Sequence, residues 1–217
     1  MKRAVIAGAS GLIGSELLKL LLANDDIAEV VALVRGPLSF ENKKLKQVHV
    51  EFDTLDRFKD DVKGDVVYCC LGTTKRKTPD EEEYRKIDYK YPLELARIAA
   101  TNNSGQFHLI SALGANAASN VFYTKLKGEL EQEIKRVGLR SLHIYQPSLL
   151  TGNRTEKRPL EKIAIILMTL VNPILLGPFK KYRSIPASLV ARAMLNQTFK
   201  NLTGIHTYPS DHIKELA

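Results

Sequence analysis

"VIAGASGLIGSELL", residues 5–18, puts three glycines, spaced three apart, between an apolar run and a leucine-rich stretch. A predicted strand before the turn and a predicted helix after it are the setting that a phosphate-cradling turn requires. Gly8 permits the tight turn, Gly11 lets the backbone come close to a pyrophosphate, and Gly14 lets the helix sit against the sheet. Free N–H groups and the dipole at the helix start favour anions there. Ser10, Leu12 and Ile13 belong to the same cradle. The spacing is G-x-x-G-x-x-G, a variant of the dinucleotide fingerprint G-x-G-x-x-G. The plain alternative is a turn that binds nothing.

Outward from this turn, apolar β-branched runs alternate with helical patterns. Strands are expected at 3–7, 30–34, 47–52, 65–71, 107–111, 139–146 and, more weakly, 204–208. The runs are near-continuous, as strands covered on both faces require. Helices are expected at 14–23, 81–100, 124–137 and 186–199, with Gly138 ending the third and Pro186 opening the fourth. This is an α/β chain with a Rossmann-type, doubly wound parallel sheet and helices on both faces. No linker, repeat or low-complexity tract divides it. Residues 1–217 are expected to form a single dinucleotide-binding domain, with a small substrate-side portion after about residue 147.

The composition excludes several classes. Of 217 residues 44% are hydrophobic, enough for a sizeable core, and the net charge is +8. The basic residues are not interleaved with aromatics and no nucleic-acid module appears, so no nucleic-acid partner is expected. The apolar stretch 163–176 is broken at Asn172-Pro173 and is shorter than the ~20 residues that span a bilayer. It is expected to pack against protein. Met1-Lys2-Arg3 leads directly into the first strand, with no secretory signal pattern. Cys69 and Cys70 are adjacent in a strand and should point to opposite faces as small buried hydrophobes. A vicinal disulfide is the minority alternative. The five histidines are scattered and no metal site is expected. A reducing, cytoplasmic setting is the expectation.

The end of the second strand bears on the nucleotide. An acid there, about 20 residues after the glycines, would bind ribose hydroxyls of NAD. This chain has Arg35 instead, which can pair bidentately with a 2′-phosphate, so NADP is favoured over NAD. The alternative for Arg35 is a solvated loop residue.

A second constellation lies further on. Tyr123 and Lys127 are four apart and share a helix face, and Ser111 closes a strand twelve positions earlier. A free tyrosine has a pKa near ~10 and needs a neighbouring positive charge to act as an acid–base group at neutral pH. Lys127 is the candidate for that charge, and Ser111 for a hydrogen bond to the substrate oxygen. Alone, Y-x-x-x-K is common on helix surfaces. Joined to the serine and the glycine turn, it is specific.

Through "GASGLIGSELL", "VVALVR", "YCCLGTT", "HLISALGAN", "YTKLKGELE" and "YQPSLLTGNRTEKRP" the chain resembles the short-chain dehydrogenase/reductases over almost its whole length. Within them it is similar to the atypical, Tat-interacting-protein-like NAD(P)-binding oxidoreductases. The resemblance implies a seven-stranded sheet, with Leu71, Gly72 and Thr73 beside the cofactor, Asp53 near the adenine and Pro147 bordering the nicotinamide. It implies that Ser111, Tyr123 and Lys127 are the catalytic set, Lys127 also holding the nicotinamide ribose. Asp88 stands about where some relatives have the asparagine of a proton relay.

The expected activity is hydride transfer between NADPH and a small carbonyl or alcohol substrate, with Tyr123 giving or taking the proton. The alternative is a non-catalytic NADP(H)-binding sensor. A sugar-nucleotide epimerase would use the same residues but would want a larger carboxyl-terminal domain. A homodimer is compatible with such sheets, whose exposed helices often pair. The charge-dense stretch 74–83 reads by default as a solvated loop.

Overall fold

A computed structural model describes residues 1–152 and 177–217. The apolar stretch at 163–176 lies outside the described residues. Seven parallel strands form one sheet: β1 (Lys2–Ala7), β2 (Ile27–Val34), β3 (Leu45–His49), β4 (Val66–Cys69), β5 (Gln106–Ile110), β6 (Ser141–Gln146) and, after the small pair below, β9 (Gly204–Pro209). Their spatial order is β3-β2-β1-β4-β5-β6-β9, so the chain reverses its winding direction between β1 and β4. Short strands β7 (Leu150–Thr151) and β8 (Ile185–Pro186) pair in parallel beyond β6.

The near-continuous apolar strands are explained by two cores, one on each face. Ala4, Ile6, Val30, Ala32, Val66 and Tyr68 pack against α1 (Leu12–Ala23) and α5 (Ala187–Thr198). Their neighbours Val5, Ala7, Val31, Leu33, Val67 and Cys69 pack against α3 (Tyr91–Thr101) and α4 (Phe122–Lys135). Successive strand residues face opposite ways, so every position of a doubly covered strand must be apolar. The cysteines follow the same rule. Cys69 joins the second core and Cys70 packs against the first, both as free thiols. Burial pushes the Cys69 thiol up to about 12.

Several boundaries differ from the sequence expectation. β3 ends at His49, not at Phe52. Val50 and Phe52 are buried as core plugs below the strand end, so the apolar run outlasts the ladder. The helix expected over 81–100 is three pieces: α2 (Glu81–Arg85), a π-helical turn (Lys86–Lys90) and α3. The fifth strand ends at Ile110, leaving Ser111 just past it. A last helix, α6 (Ser210–Leu216), follows β9.

Candidate active site

The turn between β1 and α1 is built as its glycines require. Gly8 has φ +87°, and a Cβ there would lie 2.5 Å from the carbonyl oxygen of Cys70. A Cβ on Gly14 would lie 2.1 Å from the Gly8 carbonyl oxygen. These two glycines therefore serve the packing of turn, helix and strand. Gly11 differs: its Cβ would meet nothing closer than 3.2 Å, and its surface faces solvent. It is the N-cap of α1, with no side-chain cap and no acid in the first turn. The positive end of the helix is left open, as an anionic phosphate group needs.

A cavity of about 430 Å³ opens at this helix start, beside the carboxyl ends of β4, β5 and β6. Ser10, Gly11, Leu12 and Ile13 line one side; Leu71, Gly72 and Thr73 line a second; Ser111, Tyr123, Lys127 and Pro147 line a third. Position matters here, because open α/β sheets bind ligands at the strand ends where the winding direction reverses. Gly8 and Gly14 lie behind the wall as supports. Arg35 and Asp53 lie outside it. Arg35 is exposed and forms no hydrogen bond or ion pair with the described residues. Asp53 is exposed and accepts a hydrogen bond of 2.9 Å from the Tyr91 hydroxyl.

The catalytic candidates meet at one cavity, but not as a closed triad. Tyr123 is 40% exposed at its mouth. The Lys127 ammonium lies 6.0 Å from the Tyr123 ring centroid, within cation–π range. Its hydrogen-bonded partner is Asp88, whose Oδ1 stands 2.8 Å away. Both side chains are buried, at 4% and 1% exposure. Burial opposes the charge on Lys127, but the Asp88 carboxylate outweighs it and holds the ammonium pKa above the usual lysine value. Asp88 Oδ2 also accepts the backbone N–H of Thr73 at 2.7 Å. Asp88 sits on the π-helical turn; such turns are frequent at functional sites. So the residue in the relay asparagine's place directly pairs with the lysine.

Ser111 does not turn its proton to the cavity. Its hydroxyl donates to Glu131 Oε1 at 2.5 Å. Glu131 went unnoticed in the sequence, although it lies four residues after Lys127 and hence on the same helix face, which was the available signal. In addition, Thr74 Oγ1 at the cavity wall is buried without a hydrogen-bond partner among the described residues, as a site awaiting a ligand group would leave it. The 74–83 segment is largely exposed, as the solvated-loop reading has it, and is pinned at two points. Thr78 is buried and bonds Thr73 through their hydroxyls at 2.9 Å, and Asp80 caps α2. Short-range polar bonds of this kind leave a hydrophilic sequence signature while fixing the backbone.

A doubly wound sheet, an open helix start and a buried lysine around one cavity define a nucleotide-binding enzyme of the oxidoreductase or epimerase type. The chain belongs to the NAD dependent epimerase/dehydratase family, whose profile matches residues 4–194. Protein HTATIP2 of Rattus norvegicus is 33% identical over 199 residues, 90% of this chain and 80% of that protein. This bears out the Tat-interacting-protein-like resemblance. Protein FMP52, mitochondrial, of Candida albicans is 34% identical over 160 residues, covering 71% and 70% of the two chains. The Bordetella bronchiseptica enzyme WbmH, solved in complex with NAD+, superposes with a TM-score of 0.72 at 18% identity, covering 99% of this chain and 78% of that one.

These names correct one expectation. The Candida relative and its Aspergillus counterparts are named mitochondrial, which points to mitochondria and overturns the cytoplasmic setting. Free cysteines speak for reducing conditions and not for a compartment, so the cysteine argument could not separate the two. Among the described residues, no helix is long and apolar enough to cross a membrane, and no cluster of potential metal ligands is present.

Proposed function

We propose that the protein is an NADP-dependent oxidoreductase that moves a hydride between the nicotinamide and a small carbonyl or alcohol substrate. The observation that carries this reading is the convergence of Tyr123, Lys127 and Ser111 with the open start of α1 on one cavity. Gly11 and its neighbours would hold the pyrophosphate, Leu71 to Thr73 and Pro147 the nicotinamide end, and Lys127 the adjoining ribose. The NAD+ held by WbmH supports a nicotinamide dinucleotide in general. The choice of NADP rests on Arg35, exposed after β2 where an acid would repel a 2′-phosphate. The bound cofactor supplies or accepts the hydride.

Tyr123, exposed enough to reach substrate, gives its phenolic proton to the carbonyl oxygen or takes the alcohol's proton as phenolate. The Lys127 ammonium lies 6.0 Å from its ring centroid, a positive charge near the place where negative charge develops as the proton moves. Asp88 keeps that ammonium charged in a buried place where it would otherwise lose its proton. Replacing Tyr123 with phenylalanine should leave NADPH affinity nearly unchanged and lower turnover by roughly 10²-fold or more. The assay is NADPH oxidation over aldehydes, ketones and quinones, run in parallel on wild type and Tyr123→Phe. Equal rates would remove Tyr123 from the reaction.

A further inference from the structure

Two serine hydroxyls on the cavity, those of Ser111 and Ser148, have their protons engaged elsewhere. Ser111 and Glu131 are 3% and 5% exposed, and the serine donates to the carboxylate. Glu131 is held by Gln146, whose Nε2 donates to both oxygens at 2.9 and 3.1 Å, and by Lys135 at 3.7 Å. Ser148, on the same cavity, donates to the carbonyl oxygen of Arg183 and stands 2.9 Å from the Ser210 hydroxyl. A hydroxyl has one proton and two lone pairs. With the proton committed, Ser111 offers the cavity lone pairs alone. A carbonyl oxygen placed against it would face another acceptor. A hydroxyl placed there would find its partner.

Resting on the oxidoreductase reading above, we infer that the substrate is an α-hydroxy ketone or α-hydroxy aldehyde whose hydroxyl donates to Ser111 while its carbonyl oxygen receives the proton of Tyr123. Glu131 is then a positioning residue that fixes the polarity of Ser111. The step balances. The carbonyl carbon takes the hydride of the reduced cofactor, the carbon–oxygen π bond opens, and the oxygen takes the phenolic proton. The product is a vicinal diol, with the cofactor oxidised. Tyr123 recovers its proton from solvent at the cavity mouth.

The test uses the full chain and substrate pairs that differ only in the hydroxyl: hydroxyacetone against acetone, and 2-hydroxyacetophenone against acetophenone. One readout is kcat/KM from NADPH oxidation. The other is the dissociation constant of each ketone in the presence of NADP+, where the carbonyl cannot be reduced. Wild type should favour the hydroxylated member by about tenfold or more in both readouts, the usual worth of one well-made hydrogen bond in a desolvated site. Ser111→Ala should collapse that preference. Glu131→Gln should keep it, because the amide oxygen still accepts the serine proton, whereas Glu131→Leu should lose it mainly through KM. Turnover of both members at equal efficiency overturns the inference and leaves the oxidoreductase reading standing, as does a preference that survives Ser111→Ala. No NADPH oxidation with any ketone, together with equal binding, overturns both.

Discussion

Removing the Asp88 carboxylate should be among the most damaging single changes near the cavity. Asp88→Ala strands the Lys127 ammonium, only 4% exposed, and takes away the acceptor of the Thr73 N–H. Breaking a buried ion pair from one side costs about 3–5 kcal/mol. For a domain of this size each kcal/mol moves Tm by about 2–4 °C, so Tm should fall by about 6–20 °C. The pH dependence has a definite sign. In the wild type the folded-state pKa of Lys127 is raised, so the pair's stabilisation is complete at neutral pH and is lost only as pH climbs above 10.5, the ordinary lysine value. In Asp88→Ala the carboxylate no longer opposes burial, the largest influence on Lys127, which favours the neutral amine, so this variant should gain stability as pH rises from neutral towards that value. Asp88→Asn, which keeps an acceptor for Thr73, should be milder, and the apolar double variant Asp88→Leu/Lys127→Met milder than the sum of its parts. Thermal and urea unfolding of these proteins and of the two single apolar variants across this pH range is the assay. A Tm for Asp88→Ala within about 2 °C of wild type, or strict additivity in the cycle, would refute the reasoning.

Gly11→Ala should cost less stability, since its Cβ would meet the Gly8 carbonyl oxygen only at 3.2 Å, yet should bind NADPH at least about tenfold more weakly by narrowing the open helix start. Gly14→Ala, with its Cβ 2.1 Å from the Gly8 oxygen, should lose stability first; calorimetry and fluorescence titration separate the two effects. Arg35→Asp should abolish or reverse the preference for NADPH over NADH, a change of roughly tenfold to a hundredfold for one charge-assisted contact; equal dissociation constants in the wild type would remove Arg35 from cofactor selection. His143 is buried between the rings of His108 and His206, and burial pushes its pKa down from 6.5 to about 4. The unfolded chain binds the proton first, so stability should fall as pH drops from 6.5 towards 4, and the unfolding midpoint of His143→Leu should change less over that window.

The parts of this molecule that repeat with a short period were legible in the sequence itself. Alternation between the two cores made the strands near-continuously apolar, and the glycine turn carried the location of the open helix start in three residues. The Tyr123–Lys127 spacing placed both on one face of α4, and Ser111 indeed reaches the same cavity. What stayed hidden was pairing between distant segments. Asp88 and Lys127 are 39 positions apart, and nothing in either neighbourhood says that the carboxylate is buried. Ser111 read as a donor to substrate because its partner, Glu131, comes from another element. Helical periodicity also gave no sign of the π-helical turn, since a single i→i+5 turn leaves the apolar pattern on either side intact.

That turn has a consequence for how the chain tolerates insertions and deletions. The segment Lys86–Lys90 carries one residue more than an α-helical path would need, and each residue of an α-helix advances the side-chain direction by about 100°. Deleting one residue there would let α2 and α3 fuse into a regular helix whose faces on either side stay in register, while the residues of the turn itself lose the wide path that places them. Tyr84, which packs edge-on against Phe122, and Arg85, ion-paired to Glu129, would still face α4, and Leu93, Ala96 and Ala99 would keep their place in the core. The domain would retain its sheet and its helix contacts and lose the placement of Asp88 against Lys127, so a change of length inside one helix would act as a change of active-site chemistry.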